Sequence, residues 1–320
     1  MIRDILLRYL RPTLGAIAAL TAGGCTAQET ARSVSVAQPA AEVQEVLAPE
    51  VPPPGYEPGP ALWKLADEDT TIFLFGTVHL LPEGTQWFDQ RISRALEQSD
   101  EYVSELDMQN LLAVAPLLES RGTLPAGQSL REMMAPDDLQ AYEDAMITLG
   151  LPVEIFDRYE PWHAAMMMEV FALVRSGYSR DGGVELNMEP YTVGKTRIGL
   201  ESAEQQVALF DELPSEVQLE YLAEIAEALP KMTETINRVA SQWRTGDTAA
   251  LASTLNEDTD DELYRRLIVE RNTNWANWIE NRLDQPGTVF VAVGAGHLAG
   301  RGSVQQQLAA RGFDVTRIWQ

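Results

Sequence analysis

The chain has 320 residues, 45% of them apolar, which is enough to build a sizeable core over most of its length. Its 48 acids against 24 bases give a formal charge of -24, which argues against a polyanionic partner such as nucleic acid unless a basic patch is hidden. That acidity reads as a solvated surface and by itself names no metal.

At the N-terminus, Arg3, Arg8 and Arg11 precede a small-residue apolar stretch over residues 14–24 that is too short to span a bilayer. Residues 1–25 therefore read as a signal peptide. Cys25, the only cysteine, follows Ala22-Gly23-Gly24 and resembles the lipidated cysteine of a bacterial lipoprotein lipobox, with ordinary cleavage near Ala27 as the alternative. The expectation is an exported protein on the periplasmic face of the envelope, with the membrane as a partner through a lipid anchor at Cys25. With no other cysteine, internal disulfides and thiol catalysis are excluded, and any metal site must use nitrogen and oxygen ligands. Residues 26–60 are rich in Ala, Pro, Glu and Val and end in PEVPPPGYEPGP, a composition that predicts a disordered tether. Residues 61–320 are left as the folded domain.

Within that domain, residues 71–75, TIFLF, predict a strand buried on both faces and stopped by Gly76. A helix follows over 89–98 and a second strand over 100–106. Residues 109–177 read as helical, punctuated by Pro125, Pro136, Pro152 and Pro161. A third strand is predicted at 196–200. Residues 204–283 are again mostly helical, with Pro214 and Pro230 where new helices would begin and Gly246 where one would end. A strand at 288–293, a helix at 303–311 and a strand at 314–319 complete the pattern. The fold class is α/β, with a small mixed central sheet, flanking helices and a large helical insertion.

TTIFLFGTVHL, from Thr70 to Leu80, aligns without gaps to TVFVAVGAGHL, from Thr288 to Leu298. Each describes an apolar strand, a glycine that permits a sharp turn, and a histidine three residues later. Ligands of open α/β sheets bind beyond the carboxyl ends of the strands, where both imidazoles would be delivered. The chain has only three histidines, and two of them sharing this spacing is expected by chance about once in a hundred tries. His163, in PWHAAMMMEVF, falls in the first turn of an apolar helix and reads as structural, as does the run Met166-Met167-Met168. Trp275 and Trp278 read as core, and Glu216, Glu220, Glu224 and Glu227 as a solvated helix face.

GTVH at 76–79, Glu105 at the end of the next strand, GLE at 199–201, RN at 271–272 and VGAGHL at 293–298 together resemble the TraB/PrgY/GumN family, related to the Tiki proteases, over residues 62–320. The resemblance implies that His79 and His297 occupy the paired histidine positions, Glu105 the glutamate and Arg271 the arginine. Such a set implies a divalent metal cofactor, Mn, Co or Zn, on His79, His297 and Glu105, able to activate a water. Glu105 could instead be the general base, with Glu201 completing the ligand set. Arg271 would stabilise an oxyanion or clamp a substrate carboxylate, unless it only pairs with the abundant acids. Asp181-Gly182-Gly183, followed by Glu185, and Gly194-Lys195 resemble further family turns, with Pro190 interrupting the helix expected between them. The function implied is a metal-dependent hydrolase acting on a peptide or protein substrate. The alternative is a non-catalytic envelope lipoprotein that binds haem, a metal or a peptide.

Overall fold

The computed structural model describes residue 53 and residues 55–256 and 261–319. The expected export signal, Cys25 and most of the expected tether lie outside the described residues. Six strands form one mixed sheet: β1 (Leu62–Ala66), β2 (Thr70–Thr77), β4 (Glu101–Ser104), β6 (Thr196–Gly199), β7 (Gly287–Gly294) and β8 (Val315–Arg317). Their order is β6-β4-β7-β2-β1-β8. The first four run parallel, and β1 lies antiparallel to both β2 and β8. Two-residue strands β3 (Leu81–Pro82) and β5 (Tyr178–Ser179) pair separately.

The central strands are buried on both faces because their side chains alternate between two apolar layers. Ile72 and Leu74 of β2 and Val289, Val291 and Val293 of β7 face a layer with Trp275 and Ile279 of helix α11 (Glu270–Arg282) and Val304 and Leu308 of α12 (Val304–Ala310). Phe73, Phe75, Phe290 and Ala292 face the larger cluster on the other side. Each fully buried Ile, Leu or Phe there contributes about 1.5–3 kcal/mol.

The larger layer is the helical insertion. It comprises α1 (Gln90–Gln98), α2 (Met108–Arg121), α3 (Leu130–Met133), α4 (Pro136–Leu149), α5 (Pro161–Arg175), α6 (Val184–Met188), α7 (Ala203–Asp211), α8 (Ser215–Thr245), α9 (Thr248–Asn256) and α10 (Asp261–Tyr264). Asp89 caps α1 by accepting from the backbone of Arg91 and Ile92, and Pro136 and Pro161 open α4 and α5 from the first turn. Gly246, at φ 69°, ends α8 in the left-handed conformation.

Three details differ from the sequence expectation. Pro230 does not begin a helix but sits inside the 31-residue α8. It is exposed, while its neighbours Ala226, Leu229 and Met232 are buried in one continuous stripe, so packing outweighs the lost backbone hydrogen bond. Strand β1 was not anticipated, and residues 55–60, assigned to the tether, pack on the domain. Tyr56 lies edge-on to Trp319, and the Pro60 carbonyl accepts from Arg91 at 3.1 Å.

Candidate functional site

The two Gly-x-x-His turns leave adjacent parallel strands in register, with Gly76 opposite Val293 and Thr77 opposite Gly294. They meet backbone to backbone: a Cβ on Gly76 would stand 3.0 Å from Ala295 Cα, which is why this turn uses glycine. The indole N–H of Trp243, from α8, donates to the Gly76 carbonyl at 2.8 Å. Both histidines are thus delivered to the carboxyl end of the sheet, where Glu105 and Glu201 also arrive from the ends of β4 and β6.

Arg271 stands at the centre. Just ahead of it the helix widens into a π-helical stretch, Arg265–Val269, and the Leu267 carbonyl accepts from Arg271 Nη1 at 3.2 Å. The other Nη1 hydrogen goes to His297 Nε2 at 2.9 Å. Nε donates to Glu201 Oε1 at 2.7 Å, and Nη2 to Glu201 Oε2 at 2.8 Å and Glu105 Oε2 at 2.7 Å. All five guanidinium hydrogens are thereby used. Gln206 Nε2, from α7, bridges the two carboxylates at 3.1 and 3.0 Å, and the Gly294 N–H donates to Glu105 Oε1 at 2.8 Å. The ring of Trp275 lies under both the Arg271 guanidinium, at 4.8 Å, and the His297 imidazole, at 4.3 Å. Burial works against the charge of Arg271, but Glu201 and Glu105 outweigh it and hold the guanidinium protonated.

The neighbouring groups also set the tautomer of His297. Asn272 gives its two N–H hydrogens to the carbonyls of His297 and Gly302. Its Oδ1, 2.7 Å from His297 Nδ1, must then accept. The proton sits on Nδ1 and the lone pair on Nε2, facing Arg271. Burial first, then the charge of Arg271 and that of His79 whenever it is protonated, push the His297 pKa well below the ordinary imidazole range, so the ring is neutral at physiological pH.

His79 lies at the margin of this cluster, its side chain 21% exposed, with Nδ1 2.6 Å from Glu185 Oε1. Burial raises the Glu185 pKa, but the pairing with His79 outweighs it and leaves the group a carboxylate. A carboxylate beside Nδ1 favours a proton on that nitrogen, which in the neutral ring leaves the basic lone pair on Nε2. Glu185 is brought there by the turn before α6, where the Val184 N–H donates to the Val78 carbonyl at 3.0 Å. Gly183 packs so closely on the His79 carbonyl that no Cβ would fit.

All five residues singled out from the sequence, His79, Glu105, Glu201, Arg271 and His297, therefore gather at one end of the sheet. Gln206 was missed, Glu185 was quoted without a role and Asn272 only as part of a motif. The Gly182-Gly183 pair was the signal available for Glu185. His163 is structural as expected: it is buried, its Nδ1 is 2.9 Å from the Gly122 carbonyl, and its ring stacks on Tyr159. Asp181 is exposed, and Lys195 donates to the Ser99 carbonyl. Trp275 and Met166, Met167 and Met168 are core.

In this arrangement the donor set expected for Mn, Co or Zn does not fit a resident ion. His297 Nε2, Glu201 Oε1 and Oε2 and Glu105 Oε1 and Oε2 each receive an N–H donor. Among the described residues no group of three or more His, Cys, Asp or Glu side chains is arranged to hold a metal ion. Nor does Arg271 retain a donor for an oxyanion.

A mixed α/β domain with two strand-borne Gly-x-x-His turns packed over a buried Arg–Glu–Glu centre defines the class of protein. The chain belongs to the TraB/PrgY/gumN family, whose sequence profile matches residues 61–317. YbaP of Escherichia coli (strain K12) and YbaP of Shigella flexneri are each 25% identical to it over 237 residues, 73% of this chain and 86% of theirs. No solved structure matches it significantly.

Proposed function

We propose that the protein is an exported hydrolase, held at the envelope through Cys25, that cleaves an amide bond in a peptide or protein with His79 as general base. The observation that carries the reading is the contact between His79 Nδ1 and Glu185 Oε1 at 2.6 Å on a partly buried ring. Among the described residues it is the imidazole of the site with both a neighbouring carboxylate and a partly exposed ring, although Nε2 itself is covered. In the proposed step, a water adds its oxygen to the substrate carbonyl while its proton passes to His79 Nε2. Collapse of the tetrahedral intermediate breaks the C–N bond, and the proton is passed to the departing amine. The buried centre of Arg271, Glu105, Glu201 and His297 lies at the same carboxyl end of the sheet as His79.

A second reading keeps a divalent ion on His79 and His297. It is favoured by the Nδ1 anchoring of both rings, a feature of metal-ligating histidines, and it requires Arg271 Nη1 to leave His297.

One experiment addresses both location and activity. Membranes carrying the full-length chain are incubated with a peptide library and the products read by mass spectrometry. Cleavage is expected in the membrane fraction for the wild type, in the soluble fraction for Cys25→Ala, and to fall at least about 100-fold for His79→Ala. Unchanged cleavage by His79→Ala, or no product from any peptide, would remove the hydrolase reading and leave capture without turnover.

A further inference from the structure

We propose that Arg271 is the built-in cation of this centre, and that its guanidinium excludes divalent metal ions from a latent site formed by Glu105, Glu201 and His297. The inference goes beyond the hydrolase reading and holds whether or not a substrate is turned over.

Three side chains from three separate elements turn their acceptor atoms toward one guanidinium. Glu201 offers both oxygens, Glu105 offers Oε2 and His297 offers Nε2, at 2.7–2.9 Å from the guanidinium nitrogens. His297 Nε2 and Glu105 Oε1 are 4.0 Å apart. Two carboxylates and a neutral imidazole with its lone pair already directed are the donors that a borderline divalent cation prefers. Asn272 supplies the outer support that a ligating histidine ordinarily has.

What occupies the point is a monovalent cation tied to the backbone of α11. Its five hydrogens match the converging acceptors, with the bidentate fork to Glu201 giving the planar geometry that an ammonium group would lack. The side chains of Arg271, Glu105 and His297 are at most 7% exposed. For an ion to enter, the guanidinium would have to leave without water to receive it, because Trp275 closes the face beneath it. The exclusion is therefore steric as well as electrostatic. Two negative charges against one positive leave the centre short of one charge, which a divalent ion in place of the arginine would supply.

The test is calorimetric titration of Mn2+ and Zn2+ into chelator-treated protein. Wild type is expected to show no binding that depends on His297. Arg271→Ala is expected to bind one ion at least about 100-fold more tightly than wild type, and Arg271→Ala/His297→Ala to lose it. Arg271→Gln, which keeps all three ligands and leaves an amide able to donate to Glu201 in the vacated space, carries the test if Arg271→Ala alone does not fold. Tight wild-type uptake that His297→Ala abolishes would overturn the proposal, as would an Arg271 variant that gains no affinity. Because the readout is binding, failure to find a cleaved peptide leaves this result standing.

Discussion

Glu169, on α5, is fully buried, with one oxygen receiving the Tyr221 hydroxyl at 3.2 Å and the other without a hydrogen-bond partner. Burial pushes its pKa up to about 8, only partly offset by Tyr221. The folded chain therefore holds a proton that the unfolded chain releases. Stability from this group is complete below the ordinary glutamate pKa and drains away as pH rises toward 8, at about 1.4 kcal/mol per pH unit. Glu169→Gln keeps the shape and removes the titration. Its urea midpoint is expected to match wild type near about pH 4 and to exceed it increasingly up to about pH 8. Parallel midpoints for the two proteins would show that the carboxyl is not protonated in the fold. His297 acts in the opposite sense, since its pKa is depressed. The unfolded chain takes up the proton there, so its contribution is present above the ordinary imidazole pKa and lost as pH falls below it.

At the level of elements, the site depends on the approach of α6 to the first Gly-x-x-His turn. Gly183 lies against the His79 carbonyl, and the next N–H donates to Val78. Gly183→Ala must push α6 away and draw Glu185 off the imidazole. It is expected to lower stability by about 2–3 kcal/mol and to cut turnover at least about tenfold in protein that remains folded. Retention of both wild-type values would mean that the His79–Glu185 pair does not depend on this contact. The strand-and-turn units themselves were legible in the sequence, because an apolar run buried on both faces and stopped by glycine leaves a local signature. Strand β1 was not, since LWKLA directly follows a Pro-rich stretch and gains its regularity only by pairing with β2. Strands β3 and β5 have two residues each and carry no periodicity. Pro230 was read as a helix start because the sequence shows the breaker but not the packed stripe that overrides it.

Across the whole molecule, the ends of the described domain are clasped at one edge of the sheet. Arg91 donates to the carbonyls of Ile318 and Pro60, and Arg317 lies over Trp63 and Trp319. Leu62 pairs with Phe75 near the carboxyl end of β2, so the segment that follows the tether joins the sheet at the same end as His79 and His297. The paired histidines, Glu105 and Glu201 could be found from motifs because each stands beside a glycine turn or a strand end, whereas Arg271, inside a helix, was found only through the RN pair of the family resemblance. The roles of Glu185, Gln206 and Asn272 could not, because a hydrogen-bond partner across the fold leaves no mark on local spacing. The sequence suggested two imidazoles around a metal, whereas in the fold one of them faces a guanidinium and the other a carboxylate. The most direct measurement is the rate of peptide cleavage after exhaustive chelation, compared between wild type and His79→Gln. Wild-type turnover that persists without metal and disappears in the variant is the expected result; turnover lost on chelation and restored by added Mn2+ would contradict it.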